Sequence, residues 1–157
     1  GASRLTDRRV LLVGAGGAGR AIAHALTLAG IAKLTVFDRD HVAVQKTIEM
    51  VTPLAALQVQ AGPPEIGDHD VVINATPMGL KPSDLLPVDL GQVSRTVLIA
   101  DIAALNHETA LIAKARALGC VTTDGNDMLS GQIRLIAGFA TGLAAGTPLR
   151  TRQVSHL

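Results

Sequence analysis

Apolar and polar positions alternate in two rhythms along this chain, and the alternation sets out the elements. Val10-Leu11-Leu12-Val13 is a short unbroken apolar run, the signature of a strand buried on both faces. From Gly17 to Ala29 the apolar residues fall at Ala18, Ile22, Ala25, Leu26 and Ala29, a helical stripe, with Gly30 placed to cap it. Leu34–Phe37 predicts a second strand. His41–Val51 predicts a second helix, stopped by Pro53, and Leu57–Gln60 a weak third strand ended by Gly62-Pro63-Pro64. The second half repeats the theme less regularly. Val71–Ile73 reads as a strand, Pro77–Pro87 as a loop and Thr96–Ile99 as a strand ending near Asp101. Thr109–Leu118 reads as a helix capped by Gly119, and Val121–Thr123 as a short strand. Asp127–Gly142 reads as a last helix with two apolar stripes, one for the sheet and one for a cleft or a partner. Strands alternating with helices predict an α/β fold: a Rossmann-type doubly wound parallel sheet in a single three-layer domain over 1–157.

Composition narrows the function. The chain has 157 residues, enough for one domain with a buried core and too few for two typical ones. Apolar residues make up 48% and charged residues 17%, a globular balance. The formal net charge of +1 offers no electrostatic footprint for nucleic acid or an acidic membrane surface, so neither is expected as a partner. With two Phe, no Trp and no Tyr, recognition of single-stranded nucleic acid by base stacking is not expected. The core must be built from aliphatic residues. No apolar run approaches the ~20 residues of a membrane span. The single cysteine, Cys120, has no internal disulfide partner, and no Cys/His cluster has metal-ligand spacing. A cytoplasmic location and a metal-free site are therefore expected. Cys120 reads as a small buried apolar residue rather than a nucleophile.

Candidate chemistry concentrates first at Gly14-x-Gly16-x-x-Gly19, which follows a strand and opens a helix. Gly14 allows the tight turn, Gly16 leaves room for a pyrophosphate, and Gly19 lets the helix pack closely on the strand. Gly17 and Ala18 belong to the same turn, where the helix N-terminus presents N–H groups and partial positive charge to phosphates. Asp38 lies 19 residues beyond Gly19 at the end of the second strand, where a carboxylate accepts from ribose hydroxyls and repels a 2′-phosphate. Arg39 complicates that choice, since a guanidinium there can bind the phosphate. Asp40 adds negative charge, or both residues are solvated turn residues. NAD is favoured, with NADP as the alternative. His107 and Lys81 are the tempting acid–base candidates; both read as solvated loop residues.

Further stretches carry a resemblance. Asn74-Ala75-Thr76-Pro77-Met78-Gly79 follows a strand, Asp101 ends another, Glu108-Thr109 opens a helix closing at Ala117-Leu118-Gly119, and Asp124-Gly125-x-x-Met128-x-x-x-Gln132 opens the last helix. In this order the chain resembles, from about Leu5 to about Leu143, the C-terminal nucleotide-binding domain of the shikimate/quinate dehydrogenase family. The resemblance implies NAD(P)-dependent hydride transfer at a ring hydroxyl or ketone, with a small cyclic hydroxy acid as the partner of the complete enzyme. It implies cofactor contacts at Asn74, Ala75, Thr76, Pro77, Gly125 and Met128 and a substrate contact at Gln132. Asp38-Arg39-Asp40 replaces the Asn-Arg-Thr of the NADP-using members, which again favours NAD. Ala104 and Asn106 stand where the family has a tyrosine and a proline, so a variant substrate is one expectation. The family's N-terminal domain, source of its catalytic lysine and aspartate, has no match here. No catalytic residue is therefore expected in this chain, and turnover by it alone should be low. A stand-alone dinucleotide-binding module, or a subunit completed by another chain, is the alternative, and a homodimer stays open. Another Rossmann enzyme, such as a methylene-tetrahydrofolate dehydrogenase, would explain the glycines but not Met128 and Gln132.

Overall fold

A computed structural model describes residues 5–81 and 83–126. Its elements run β1 (Arg9–Val13), α1 (Gly17–Leu28), β2 (Lys33–Phe37), α2 (His41–Val51), β3 (Gln58–Ala61), β4 (Val71–Asn74), β5 (Leu98–Asp101), α3 (Ala110–Ala117) and β6 (Val121–Thr123). The six strands form one sheet in the order β3-β2-β1-β4-β5-β6, and every pairing is parallel. This is the strand order of the Rossmann fold.

Strand periodicity explains the layers. Val10 and Leu12 of β1 face one side with Leu34, Val36, Val71 and Ile73, and pack against Ala23 and Leu26 of α1 and Val44 and Val51 of α2. Leu11 and Val13 face the other side with Val72 and Ile99, and pack against Leu111 and Ala115 of α3. A two-residue period thus divides β1 between two cores, and all four residues are essentially solvent-free. Among the described residues between β4 and β5 there is no helix; Ile66, Val88, Leu90 and Val97 cover that part of the second face from irregular segments. Each such side chain contributes about 1.5–3 kcal/mol by leaving water.

Helix ends follow local chemistry. Gly30 (φ +78°) and Gly119 (φ +81°) take the left-handed conformation just beyond α1 and α3, as their positions predicted. Asp40 is not a free turn residue: its carboxylate caps α2 by accepting from the N–H groups of Val42 (2.9 Å) and Ala43 (3.1 Å). Thr109 caps α3 in the same way. Two strands lie later than their sequence limits. β3 starts one residue on, and β5 starts at Leu98 rather than Thr96, because pairing Val71 with Leu98 sets its register. The helix expected over 127–142, with Met128 and Gln132, lies outside the described residues.

The amino ends of the strands carry an ion-pair network. Arg9 binds Asp70 through Nη2 (2.9 Å) and Nε (3.1 Å) and reaches Asp68 at 3.2 Å, while Lys33 lies 3.7 Å from Asp68. A second polar group is internal: His69, buried, lies between the Ile66 carbonyl and the Thr35 hydroxyl.

Candidate functional site

β1 has β2 on one side and β4 on the other, and the connections leaving β1 and β4 lie over opposite faces of the sheet. That reversal opens a crevice at the carboxyl ends of the strands, the place where open α/β sheets bind ligands. A crevice of about 310 Å³ is found there, lined by Val13, Gly16, Phe37, Asp38, Arg39, Ala75, Thr76, Pro77 and Met78. The turn after β1 thus faces both the end of β2 and the loop after β4. Backbone bonds join all three: Gly14 N–H donates to the Phe37 carbonyl and Ala75 N–H to the Val13 carbonyl, each at 2.7 Å.

The three glycines of the turn have separate steric causes. Gly14 sits at φ +108°, and a Cβ on it would lie 2.7 Å from the Ala75 carbonyl oxygen. A Cβ on Gly19 would lie 2.0 Å from the Gly14 carbonyl oxygen, so only glycine lets α1 approach β1 this closely. Gly16 and Gly17 are different, because a Cβ on either would meet nothing within 4 Å. The space above them is open. Gly16 is the N-cap of α1, and no side chain caps the helix. The first N–H groups of α1, from Gly17 through Gly19, are those an α-helix leaves without intrahelical partners. Gly16, Gly17 and Ala18 are exposed.

Asp38 is held at the lip of this cradle. One carboxylate oxygen accepts from Ala15 N–H at 2.7 Å and the other from Asp40 N–H at 3.0 Å. The Ala15 bond holds the carboxyl below the usual carboxylate range, outweighing its partial burial, and the N–H groups of Asp40 and Arg39 add to the effect. Asp38 is therefore ionised at neutral pH while each oxygen keeps accepting capacity toward the crevice. Arg39 is exposed and lines the same crevice.

On the opposite wall the expected segment divides. Ala75, Thr76 and Pro77 line the crevice, as does Met78, a member of the same motif for which the sequence implied no contact. Asn74 does not. It is buried, and its amide is fully engaged inside the protein: Nδ2 donates to the Met78 carbonyl (3.1 Å) and Asp101 (3.2 Å), and Oδ1 accepts from Thr76 N–H (3.0 Å) and Thr76 hydroxyl (2.6 Å). The cofactor contact expected of its side chain is corrected to a role in shaping the wall, since no donor or acceptor of the amide is left over. Gly125 is not among the described residues that line this crevice; it packs on Ile102–Ala104, where a Cβ would meet the Ile102 carbonyl oxygen at 2.3 Å. His107 is exposed yet not partnerless: its ring nitrogens lie 3.0 Å from the Leu80 carbonyl and 3.1 Å from Asn106 Oδ1. Lys81 is exposed, and Cys120 is buried beside the Ser94 carbonyl. Among the described residues no three His, Cys, Asp or Glu side chains form a metal-binding group, and no helix is long and apolar enough to cross a membrane.

Comparison with known proteins agrees with this geometry. Residues 1–47, the stretch through β1, α1 and β2, match the ThiF family. Over 140 residues the chain is 35% identical to the quinate/shikimate dehydrogenase (NAD(+)) of Corynebacterium glutamicum strain R, covering 85% of this chain and 50% of that protein. It is 30% identical over 145 residues to the shikimate dehydrogenase (NADP(+)) of Bacillus cereus strain AH820, covering 88% and 51%. Among solved structures, ligand-free 5-ketofructose reductase of Gluconobacter sp. strain CHM43 superposes with a TM-score of 0.81 at 31% identity, over 91% of this chain and 54% of that one. Quinate dehydrogenase from Corynebacterium glutamicum in complex with NAD superposes with a TM-score of 0.75 at 32% identity, over 89% and 52%. Strand order, glycine turn and switch-point crevice together define a Rossmann-type domain of the dinucleotide-binding kind. The chain is a homologue of the shikimate/quinate dehydrogenases and corresponds to their C-terminal, NAD(P)-binding half. It spans about half the length of the curated relatives it matches.

Proposed function

We propose that this chain holds NAD(P) for an oxidoreductase that moves a hydride at a hydroxyl or ketone carbon of a small cyclic hydroxy acid, with NAD as the preferred cofactor. The observation that carries the reading is the pairing of an open, uncapped helix N-terminus with an ionised carboxylate held against the same turn. Those residues fit a dinucleotide. The space over Gly16 and Gly17 admits a phosphate group, and the helix N–H groups and dipole favour its charge. Val13, Phe37, Pro77 and Met78 give the crevice apolar walls suited to a flat ring, and Asp38 offers acceptors for sugar hydroxyls. The bound cofactor would supply the hydride acceptor or donor. The chain's own work is to bind it, orient it and keep one face against the strand ends.

Asp38 supports NAD over NADP, because an ionised carboxylate on the crevice wall repels a 2′-phosphate. Asp40 adds a further negative charge beside it, with one oxygen engaged in capping α2. The general acid and base are proposed to lie outside this chain: among the described residues the charged groups lining the crevice are Asp38 and Arg39, both belonging to the β2 corner. The likeness to 5-ketofructose reductase, together with Ala104 and Asn106, supports a second reading in which the hydroxy compound is a keto-sugar rather than a ring acid.

Calorimetric titration with NAD and with NADP tests the reading. Saturable NAD binding at least about tenfold tighter than NADP is expected, and Asp38→Asn should erase most of that ratio, as loss of a charge-assisted contact implies. No binding of either dinucleotide would overturn the function; an unchanged ratio in Asp38→Asn would remove Asp38 from the choice. Dehydrogenase assays of the 157-residue chain should show almost no turnover.

A further inference from the structure

Asp101 ends β5 with no exposure to solvent, and among the described residues no cation pairs with it. A buried carboxylate held only by neutral donors is costly, and an apolar residue would fill the space at lower cost. Its contacts show what it organises. Oδ1 accepts from Ala103 N–H at 3.1 Å; Oδ2 accepts from Asn74 Nδ2 at 3.2 Å and from the Thr109 hydroxyl at 3.0 Å.

Both oxygens of Asp101 act as acceptors, and that fixes the direction of every bond beyond it. Asn74 must turn its NH2 toward Asp101, so its Oδ1 faces Thr76 and takes both the Thr76 N–H and the Thr76 hydroxyl proton. The Thr76 oxygen is thereby left to accept from Met78 N–H at 3.2 Å. Thr109 donates to Asp101 and accepts from Ile112 N–H, the cap of α3. On the other side, Ala103 returns its carbonyl to Gly125 N–H at 3.2 Å. One buried acceptor therefore sets the wall of the crevice, the start of α3 and the segment under Gly125.

We propose that Asp101 is a positioning residue for cofactor binding: through Asn74 it orients Thr76 and Met78 toward the crevice, and through Ala103 it ties that wall to the Ile102–Gly125 contact. Asparagine cannot replace it. Whichever way the amide introduced by Asp101→Asn turned, its NH2 would face another donor, either Ala103 N–H or Asn74 Nδ2, and a Thr109 hydroxyl that accepted from it would give up its own donation. This role rests on the crevice being the dinucleotide site.

The test is NAD binding by calorimetry, with folding followed by thermal unfolding. Asp101→Asn should weaken NAD at least about tenfold. Thr109→Val, which lies away from the crevice, should weaken it several-fold, while Thr109→Ser, which keeps the hydroxyl, should bind within about twofold of wild type. Asp70→Asn, at the other end of the sheet, is the control for lost stability alone and should leave NAD binding unchanged. If Asp101→Asn does not fold, hydrogen exchange on the wild-type chain decides: NAD should slow the amides of Thr76, Met78, Ala103 and Ile112 together. Wild-type affinity in folded Asp101→Asn and Thr109→Val overturns the role of Asp101, as does protection confined to residues 75–78. Failure of the wild type to bind NAD or NADP overturns the reading of the site itself and this inference with it.

Discussion

The two ends of the parallel sheet handle charge in opposite ways. At the amino end, Asp70 and Asp68 are met by Arg9 and Lys33, each charge answered by another. At the carboxyl end, Asp38 is met by backbone N–H groups, and α1 begins with no side chain over it. The amino end closes on itself and serves stability. The carboxyl end keeps spare donors, spare acceptors and space, which are what a ligand needs. A single sheet therefore separates its structural chemistry from its binding chemistry by strand polarity.

Breaking the contrast should give effects of different kind and size. The largest is expected at Gly19, where alanine must push against the Gly14 carbonyl: Gly19→Ala should destabilise the domain by about 3 kcal/mol or more, read by denaturant unfolding. Gly16→Ala is its counterpart in the same turn. The Gly16 backbone (φ −69°, ψ −168°) suits alanine and a Cβ there meets nothing, so stability should hold or rise slightly. NAD affinity should nevertheless fall about tenfold or more by calorimetry, because the methyl occupies the space a phosphate would take. A large loss of stability in Gly16→Ala would show that the turn is structural there too. The smallest effect belongs to the amino end. Arg9, through its guanidinium and its N–H, holds the Asp70 carboxyl down at about 2, against an ordinary 3.8. That stabilisation is fully present above pH 3.8 and is lost as pH falls through about 2. Asp70→Asn should therefore cost about 1 kcal/mol at neutral pH, the difference from wild type should shrink as pH falls from 3.8 and vanish only below about pH 2, and NAD binding should not change.

What could be read from the chain alone divides along similar lines. β1, α1, β2 and α2 were legible to within a residue because burial on both faces makes an apolar run, and burial on one face makes a helical stripe. The glycine turn was legible because its steric demands act on neighbours in sequence. β5 was misplaced by two residues: Thr96 and Val97 have strand-like side chains, but pairing with β4 sets the register, and that is a tertiary fact. Asn74 and Asp101 were each visible as motif residues at strand ends, yet the bond between them joins positions 27 apart and shows what both do. Asn74 was read as touching a cofactor because of the motif it belongs to. The Arg9–Asp70 pair, 61 positions apart, left no local signal at all.

That last separation has a consequence for how the domain is made. The crevice has no existence in β1 or β4 alone; its walls come together only when Arg9 meets Asp70 and Val13 meets Ala75 across a long intervening stretch of chain. Such distant pairings form late and slowly in folding. A dinucleotide gripping both walls would act as a clasp on the strand pairing with the longest sequence separation in the sheet, and at about a hundred times its Kd would add about 2.7 kcal/mol to the folded state. During synthesis, the chain would gain the proposed ability to hold a dinucleotide only after β4 has emerged and docked, so loading would report that β1 and β4 are paired.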